Sequence, residues 1–223
     1  MYVNLEAEVC TKVISLKRDT ERRKLFDKNN YKKLPKYEFH DAVDGRKLSA
    51  AKYYSLVCKL KGRAQRRKAI SPSELGCFLS HRAALHSFLT ENSSPFLMVL
   101  EDDVELISKL RLETIRINPT AVNILGGQEG LKRSFVWNTL MDNGFMFKVP
   151  GIVGYTIYRT SSYLISREVA KKMHKLMTEY TFLADDWGYI ASQISMGGYH
   201  MQKLFSHPLD LTESNIEHER KLL

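Results

Sequence analysis

Three consecutive acids, Glu101, Asp102 and Asp103, follow directly on the apolar run Phe96-Leu97-Met98-Val99-Leu100. Carboxylates a few ångströms apart raise one another's pKa, so such a cluster is electrostatically awkward unless a cation shares it. A hard divalent ion such as magnesium or manganese relieves the conflict, because it favours carboxylate oxygens and keeps open positions for substrate phosphates. Along an extended segment Glu101 and Asp103 fall on one side and Asp102 on the other, so one pair faces a ligand while the third orients the loop. An acid-rich helix N-terminus is the competing explanation of the triplet. A second acidic pair, Asp185-Asp186, precedes Trp187-Gly188-Tyr189, whose rings suit the wall of a sugar site. One acid suffices to cap the helix that follows, which leaves the other available for chemistry.

These groups act together only if the fold brings them together. Strand-length apolar runs alternate with helical patterns, which predicts an α/β fold with a mostly parallel central sheet. Lys12 to Leu16 reads as the first strand, followed by a charged helix from about Asp19; Tyr37 to Val43 reads as the second, closed by the turn pair Asp44-Gly45. Ser71-Pro72-Ser73-Glu74 is a capping box with proline at the first helical position, and Leu75, Phe78, Leu79, Leu85, Phe88 and Leu89 continue at helical spacing. The run Phe96–Leu100 does not alternate, as expected of a strand buried on both faces. Val122 to Leu125 is another strand, ending in Gly126-Gly127, which either allow close backbone approach to a ligand or make a tight turn. Ser166 caps a further helix, and a short last helix runs from Trp187 to Met196 until Gly197-Gly198. Gly130 to Thr160 reads as loops and short strands, and the chain after His207 as a polar surface tail. In an open α/β sheet ligands bind beyond the carboxyl ends of the strands, where the acid triplet and the loop Ser15-Leu16-Lys17-Arg18 both fall.

The 223 residues suit a single domain, with a donor-binding part at about 10–127 and an acceptor-side part at about 128–223. No signal peptide is recognisable and no apolar run approaches the roughly 20 residues that span a bilayer. Cys10, Cys58 and Cys77 show no metal-ligand pairing or disulfide pattern, so a reduced, cytoplasmic compartment is expected. A net charge of +9 favours an anionic partner. The excess is concentrated in Lys59 to Lys68, six cations in ten residues, which is either a solvated loop or helix end or a contact for an anionic membrane face. No aromatic side chain is interleaved there to stack on bases, so nucleic acid is not expected as a partner.

Four segments in order resemble glycosyltransferase family 25, which holds lipooligosaccharide-type galactosyltransferases and collagen galactosyltransferases. They are Val13 to Arg23, Ala42-Val43-Asp44-Gly45, Ser73 to His81 with its Glu-x-Gly-Cys-x-x-Ser-His pattern, and Val99 to Val104 with Leu-Glu-Asp-Asp. Weaker matches follow at Ser162 to Ser166 and at Asp185-Asp186, so the resemblance covers roughly residues 12 to 215. It implies a GT-A type, Rossmann-like nucleotide-sugar-binding fold, a UDP-sugar donor (usually UDP-galactose), a divalent metal (usually manganese) and inversion at the anomeric carbon. It also implies a glycan or glycolipid acceptor such as lipooligosaccharide. Carried onto this chain, Asp103 is the main metal ligand, Glu101 or Asp102 serves the donor ribose and a second metal contact, and His207 completes the shell. Ser15, Leu16, Arg18, Asp44 and Gly45 line the nucleotide pocket, with Ser80, His81, Gly126 and Gly127 on the donor side. Arg22 is expected to pair with Glu21 or Asp44. The acceptor-side base of an inverting reaction is Asp185 or Asp186. One departure is Arg159-Thr160-Ser161-Ser162, where many family members have Gly-Thr-His-Ala. The alternative is a basic protein that binds nucleic acid or anionic lipid without glycosyl transfer.

Overall fold

The computed structural model describes residues 1–67, 69–126, 147–149 and 157–207, together with Ile216 and Glu219. The chain begins with β1 (Tyr2–Asn4), α1 (Leu5–Glu8), β2 (Val9–Ser15), α2 (Thr20–Asn30) and β3 (Glu38–Asp41). A 3-10 turn (Gly45–Lys47), α3 (Ala50–Val57), α4 (Gly62–Arg67) and the long α5 (Pro72–Glu91) lead to β4 (Phe96–Glu101). Then come β5 (Glu105–Leu106), β6 (Thr114–Arg116), β7 (Val122–Gly126), β8 (Phe147–Val149), β9 (Ser162–Ser166), α6 (Arg167–Glu179), α7 (Trp187–Gln193) and β10 (Tyr199–Ser206).

The main sheet has the order β3-β2-β4-β9-β7-β10-β5, with β8 also on β10, while β1 and β6 form a small ribbon of their own. This is the α/β, Rossmann-like architecture expected from the sequence, but its sheet is mixed. The parallel pairs are β2 with β3, β2 with β4, and β7 with β10. Strand β9 runs antiparallel to both β4 and β7, which flank it. A buried apolar strand needs both faces covered, not parallel neighbours, so the pattern of Phe96–Leu100 was silent on direction. Its side chains divide by alternation: Leu97 and Val99 join the core under α5, α6 and α7, while Phe96, Met98 and Leu100 join the core under α2. Strands β9 and β10, from the second half of the chain, lie in the same sheet as β2, β4 and β7, so both halves share one scaffold.

The capping box forms as expected: Ser71 Oγ accepts from Glu74 N–H at 3.2 Å and Glu74 Oε2 accepts from Ser71 N–H at 2.9 Å. Arg67 then donates to Glu74 Oε1 at 2.8 Å, tying α4 to the start of α5. Ser166 Oγ likewise caps α6. By contrast, Asp19 stands at the N-cap of α2 without a side-chain cap bond. Helix α7 stops at Gln193, before the expected Met196, because the backbone becomes extended at Ile194, and Gly198 at φ 89° then leads into β10. Among the described residues no helix is long and apolar enough to cross a membrane.

The basic run is divided, with Lys59 and Arg66 exposed and three of its other cations engaged. Arg63 and Arg67 lie on α4 and point to carboxylates of Asp185 and Glu74. The ammonium of Lys61 lies 5.6 Å from the ring centre of Tyr180.

The 3-10 turn sits directly on the first turn of α5. A Cβ on Gly45 would fall 1.7 Å from the carbonyl oxygen of Pro72, and one on Gly76 would fall 2.7 Å from Gly45 N. This contact holds Asp44 at the edge of the cleft described below. Gly45→Ala is therefore expected to destabilise the fold by about 1–3 kcal/mol, since backbone must shift to admit the methyl group. Urea denaturation followed by circular dichroism would show this as a lowered midpoint at unchanged slope.

Candidate active site

A cleft of about 1010 Å³ opens beyond the carboxyl ends of β2 and β4. Its floor is the acid triplet, and its walls come from the segments after β2 and β3, the first turns of α4 and α5, residues 158–160, Asp185 and His207. Among the described lining residues are eight carboxylates (Asp19, Asp44, Glu74, Glu101, Asp102, Asp103, Glu105 and Asp185) and five arginines (Arg22, Arg46, Arg63, Arg67 and Arg159). The protein is basic overall, yet this cleft carries an excess of negative charge. That excess suits a site completed by a cation.

The three acids have three different fates. Asp102 turns inward, only 8% exposed, and accepts from Ser15 Oγ at 2.7 Å and from Arg22 Nε at 2.8 Å. Burial raises its pKa despite Arg22 and Ser15, which act in the opposite sense. Glu101 accepts from Thr160 Oγ1 at 2.7 Å, and its Oε1 lies 3.5 Å from His81 Nε2. Asp103 accepts from Arg22 at 3.0 Å and lies 3.2 Å from His207 Nε2. Burial alone would raise the Asp103 pKa, but His207 and Arg22 outweigh it and hold the carboxyl below its ordinary value.

Glu101, Asp103 and His207 bring one potential ligand atom each within 4.8 Å of one another. Asp103 Oδ1 is buried and has no hydrogen-bond partner among the described residues, so a ligand position is left on that carboxylate. Arg159 donates to His207 Nδ1 at 2.5 Å, so Nε2 carries the hydrogen that faces Asp103, and a bound ion would replace that hydrogen. Two carboxylates and an imidazole are a suitable donor set for manganese or magnesium, so the residues fit the metal that the sequence implies.

Around this centre the other expected residues take varied places. Ser15 is buried and supports Asp102, while Leu16 lines the cleft. Arg18 pairs with Asp44, whose other oxygen accepts from Arg46 N–H at 3.2 Å. Arg22 does not pair with Glu21 or Asp44; Glu21 is taken by Lys24, Asp44 by Arg18, and Arg22 reaches the acid triplet. Ser80 Oγ accepts from Val43 N–H at 2.8 Å and donates to Gly76 O at 2.7 Å, fixing the segment before Asp44 to α5. His81 is buried, with Nδ1 3.1 Å from the Tyr163 hydroxyl. Gly126 makes its close approach to Phe205 of β10, where a Cβ would lie 2.1 Å from a carbonyl oxygen, and it is not a cleft residue. Gly127 lies outside the described residues.

The acidic pair divides the two tasks. Asp186 is buried and caps α7, accepting from Tyr189 N–H at 3.3 Å and from Arg63 N–H at 2.6 Å. Asp185 lines the cleft, with Oδ1 on the Arg63 guanidinium at 2.6 Å and Oδ2 on Arg159 N–H at 3.0 Å. Trp187 is not a sugar wall: it is buried between Tyr163 and Tyr199 and donates to Arg159 O at 2.9 Å. Two aromatic rings line the cleft among the described residues, the buried Phe26 and the exposed Tyr158, whose ring centre lies 4.9 Å from the Arg63 guanidinium. Sequence patterns gave no sign of Thr160, Arg63 or Tyr158 as site residues; only the departure at Arg159-Thr160 pointed to that segment.

Such a cleft at the ends of β2 and β4, floored by clustered carboxylates, defines the chain as a Rossmann-like protein with a phosphate- and metal-compatible site. The family model described as glycosyltransferase family 25 (LPS biosynthesis protein) matches residues 11–187, and the chain belongs to that family. A glycosyltransferase 25 family member of Aedes aegypti is 34% identical over 174 residues, covering 72% of this chain and 27% of the relative. One from Anopheles gambiae is 32% identical over 168 residues, covering 72% and 28%. A putative glycosyltransferase of Acanthamoeba polyphaga mimivirus is 28% identical over 170 residues, covering 69% and 51%. The chain thus spans between about a quarter and about half of the length of the curated relatives it matches.

Arg22→Ala would leave Asp102 buried beside Asp103 with only Ser15 to answer its charge. Removing one partner of a buried pair costs about 3–5 kcal/mol, and the partial exposure of Arg22 brings the expectation down to about 2 kcal/mol. Arg18→Ala, whose partner sits at the cleft edge, should cost less than about 1 kcal/mol. Thermal unfolding of the two variants side by side checks the order.

Proposed function

We propose that this chain transfers a sugar, galactose from UDP-galactose, onto a hydroxyl of a glycan acceptor such as lipooligosaccharide, with inversion at the anomeric carbon. The observation that carries this reading is the meeting of Glu101, Asp103 and His207 on the floor of a cleft large enough for a nucleotide sugar. Those three side chains would hold the divalent ion, manganese by preference, which when bound neutralises charge developing on the departing diphosphate. Family membership supports glycosyl transfer, and the family's printed association with LPS biosynthesis supports this acceptor class.

The remaining roles fall to the chain's own groups. Leu16 and the Arg18–Asp44 pair flank the nucleotide end of the cleft, and Ser15 with Arg22 fixes Asp102 so that the metal-side carboxylates keep their direction. Asp185 is the acceptor-side base. Each carboxylate oxygen has two lone pairs, so Asp185 can take the acceptor's proton while Arg63 and Arg159 N–H still donate to it and hold the base in place. Asp186, engaged as a helix cap, serves the fold. A basic binding module without transfer finds little support, because Arg63 and Arg67 of its cationic run are committed to Asp185 and Glu74.

A panel of UDP-sugars with purified protein, with manganese and with chelator, tests the reading. UDP release and transfer should require metal and favour UDP-galactose. Asp103→Asn should lower the rate ~100-fold or more, and Asp185→Asn by roughly 100- to 10,000-fold with donor affinity kept. Metal-independent turnover, or full activity in Asp103→Asn, would remove the metal-site reading; absence of both binding and turnover with every donor would remove the enzyme reading.

A further inference from the structure

Glu101 belongs to a second group of potential ligands that glycosyl transfer does not use. Cys77 and His81 lie four residues apart on α5, so their side chains share one helix face, and that face looks at the end of β4. Cys77 Sγ, His81 Nε2 and a Glu101 carboxylate oxygen all lie within 4.8 Å of one another. His81 is only 2% exposed, and its Nε2 has no hydrogen-bond partner among the described residues although it points at Glu101 from 3.5 Å. A buried polar nitrogen without a partner costs about 1–3 kcal/mol, which a bound ion would relieve. The other ring nitrogen is already placed: Nδ1 lies 3.1 Å from the Tyr163 hydroxyl, which fixes the ring's orientation.

We infer that Cys77, His81 and Glu101 form a binding site for a thiophilic divalent ion of the zinc type, distinct from the Glu101–Asp103–His207 set. One thiolate, one imidazole and one carboxylate are three ligands of a tetrahedral zinc centre, and the cleft leaves a fourth position for water. Zinc–ligand bonds of about 2.0–2.3 Å put adjacent ligand atoms roughly 3.3–3.7 Å apart, so small side-chain rotations close the set from its present spread. Binding forms a metal–sulfur bond and releases the thiol proton to solvent. The two sets differ in character, as the sulfur selects zinc or cobalt while the oxygen-rich set suits manganese. Because Glu101 is common to both, an ion held by Cys77 draws on a carboxylate that the other set needs.

Cobalt(II) is the probe, since thiolate ligation gives it a near-ultraviolet charge-transfer band and tetrahedral geometry gives it intense visible bands. The full-length, chelator-treated protein is titrated with cobalt(II), and Cys77→Ser, His81→Ala and Asp103→Asn are titrated alongside. Native circular dichroism is the condition for counting each variant. Wild type and Asp103→Asn should show both features at one ion per chain. Cys77→Ser should lose the charge-transfer band, and His81→Ala should bind at least 10-fold more weakly. The inference is overturned if wild type shows no thiolate band, if the band persists in Cys77→Ser and so arises from Cys10 or Cys58, or if Asp103→Asn abolishes it. None of these readouts depends on sugar transfer, so failure here leaves the transfer reading untouched.

Discussion

Three adjacent anions leave β4 in consecutive residues, and the surroundings of the cleft are organised by the need to keep them apart. Two unit charges 4 Å apart in a protein environment of effective dielectric about 20 repel by about 4 kcal/mol, comparable to a large part of a domain's stability. β4 ends at Glu101, and the turn that follows, not the strand alternation expected from the sequence, sends Asp102 inward while Glu101 and Asp103 stay at the cleft. Arg22 then bridges Asp102 and Asp103, Thr160 engages Glu101, and His207 faces Asp103. These partners come from α2, from the residues before β9 and from the end of β10. The electrostatic problem of one short segment thus dictates where three distant parts of the chain converge.

Strand direction matters to this convergence. Because β9 runs antiparallel to β4, its first residues meet the last residues of β4, with Ser162 opposite Leu100. Thr160 and Arg159, just upstream of β9, therefore arrive beside Glu101. A parallel β9 would bring its C-terminal end there and leave that carboxylate without its hydroxyl donor. β10 runs parallel to β7 and so delivers His207 at the same edge of the sheet. The mixed sheet is a condition of the site being assembled at all.

Much of this was legible from the sequence and some was not, for definable reasons. The acid triplet, the strand before it and the Ser71 capping box are local signals, each complete within a few residues. Arg22 was visible as a charge, but its partner lies 80 residues away, and nothing local separates that pairing from one with Glu21. β10 was missed because Tyr199 to Ser206 mixes buried Tyr199, Met201 and Phe205 with exposed Lys203, without regular alternation, and follows a glycine pair that reads as a stop. Arg63 looked like one more cation in a basic run; only the tertiary fold shows that it faces Asp185. Which of Asp185 and Asp186 caps the helix could not be read from the sequence because either can do so, and in the fold it is Asp186.

Arg159 has φ 71°, a left-handed conformation that costs an ordinary side chain about 1–2 kcal/mol and glycine almost nothing. A glycine at this position would hold the same backbone without that cost. This chain has exchanged conformational ease for a guanidinium against His207, while the same residue's N–H and carbonyl group hold Asp185 and Trp187. Arg159 is thus the point at which His207, Asp185 and the buried Trp187 are tied together. Glycine there would keep the two backbone contacts and lose the guanidinium beside His207, so the side chain at this single residue bears on how tightly the two ends of the cleft are coupled.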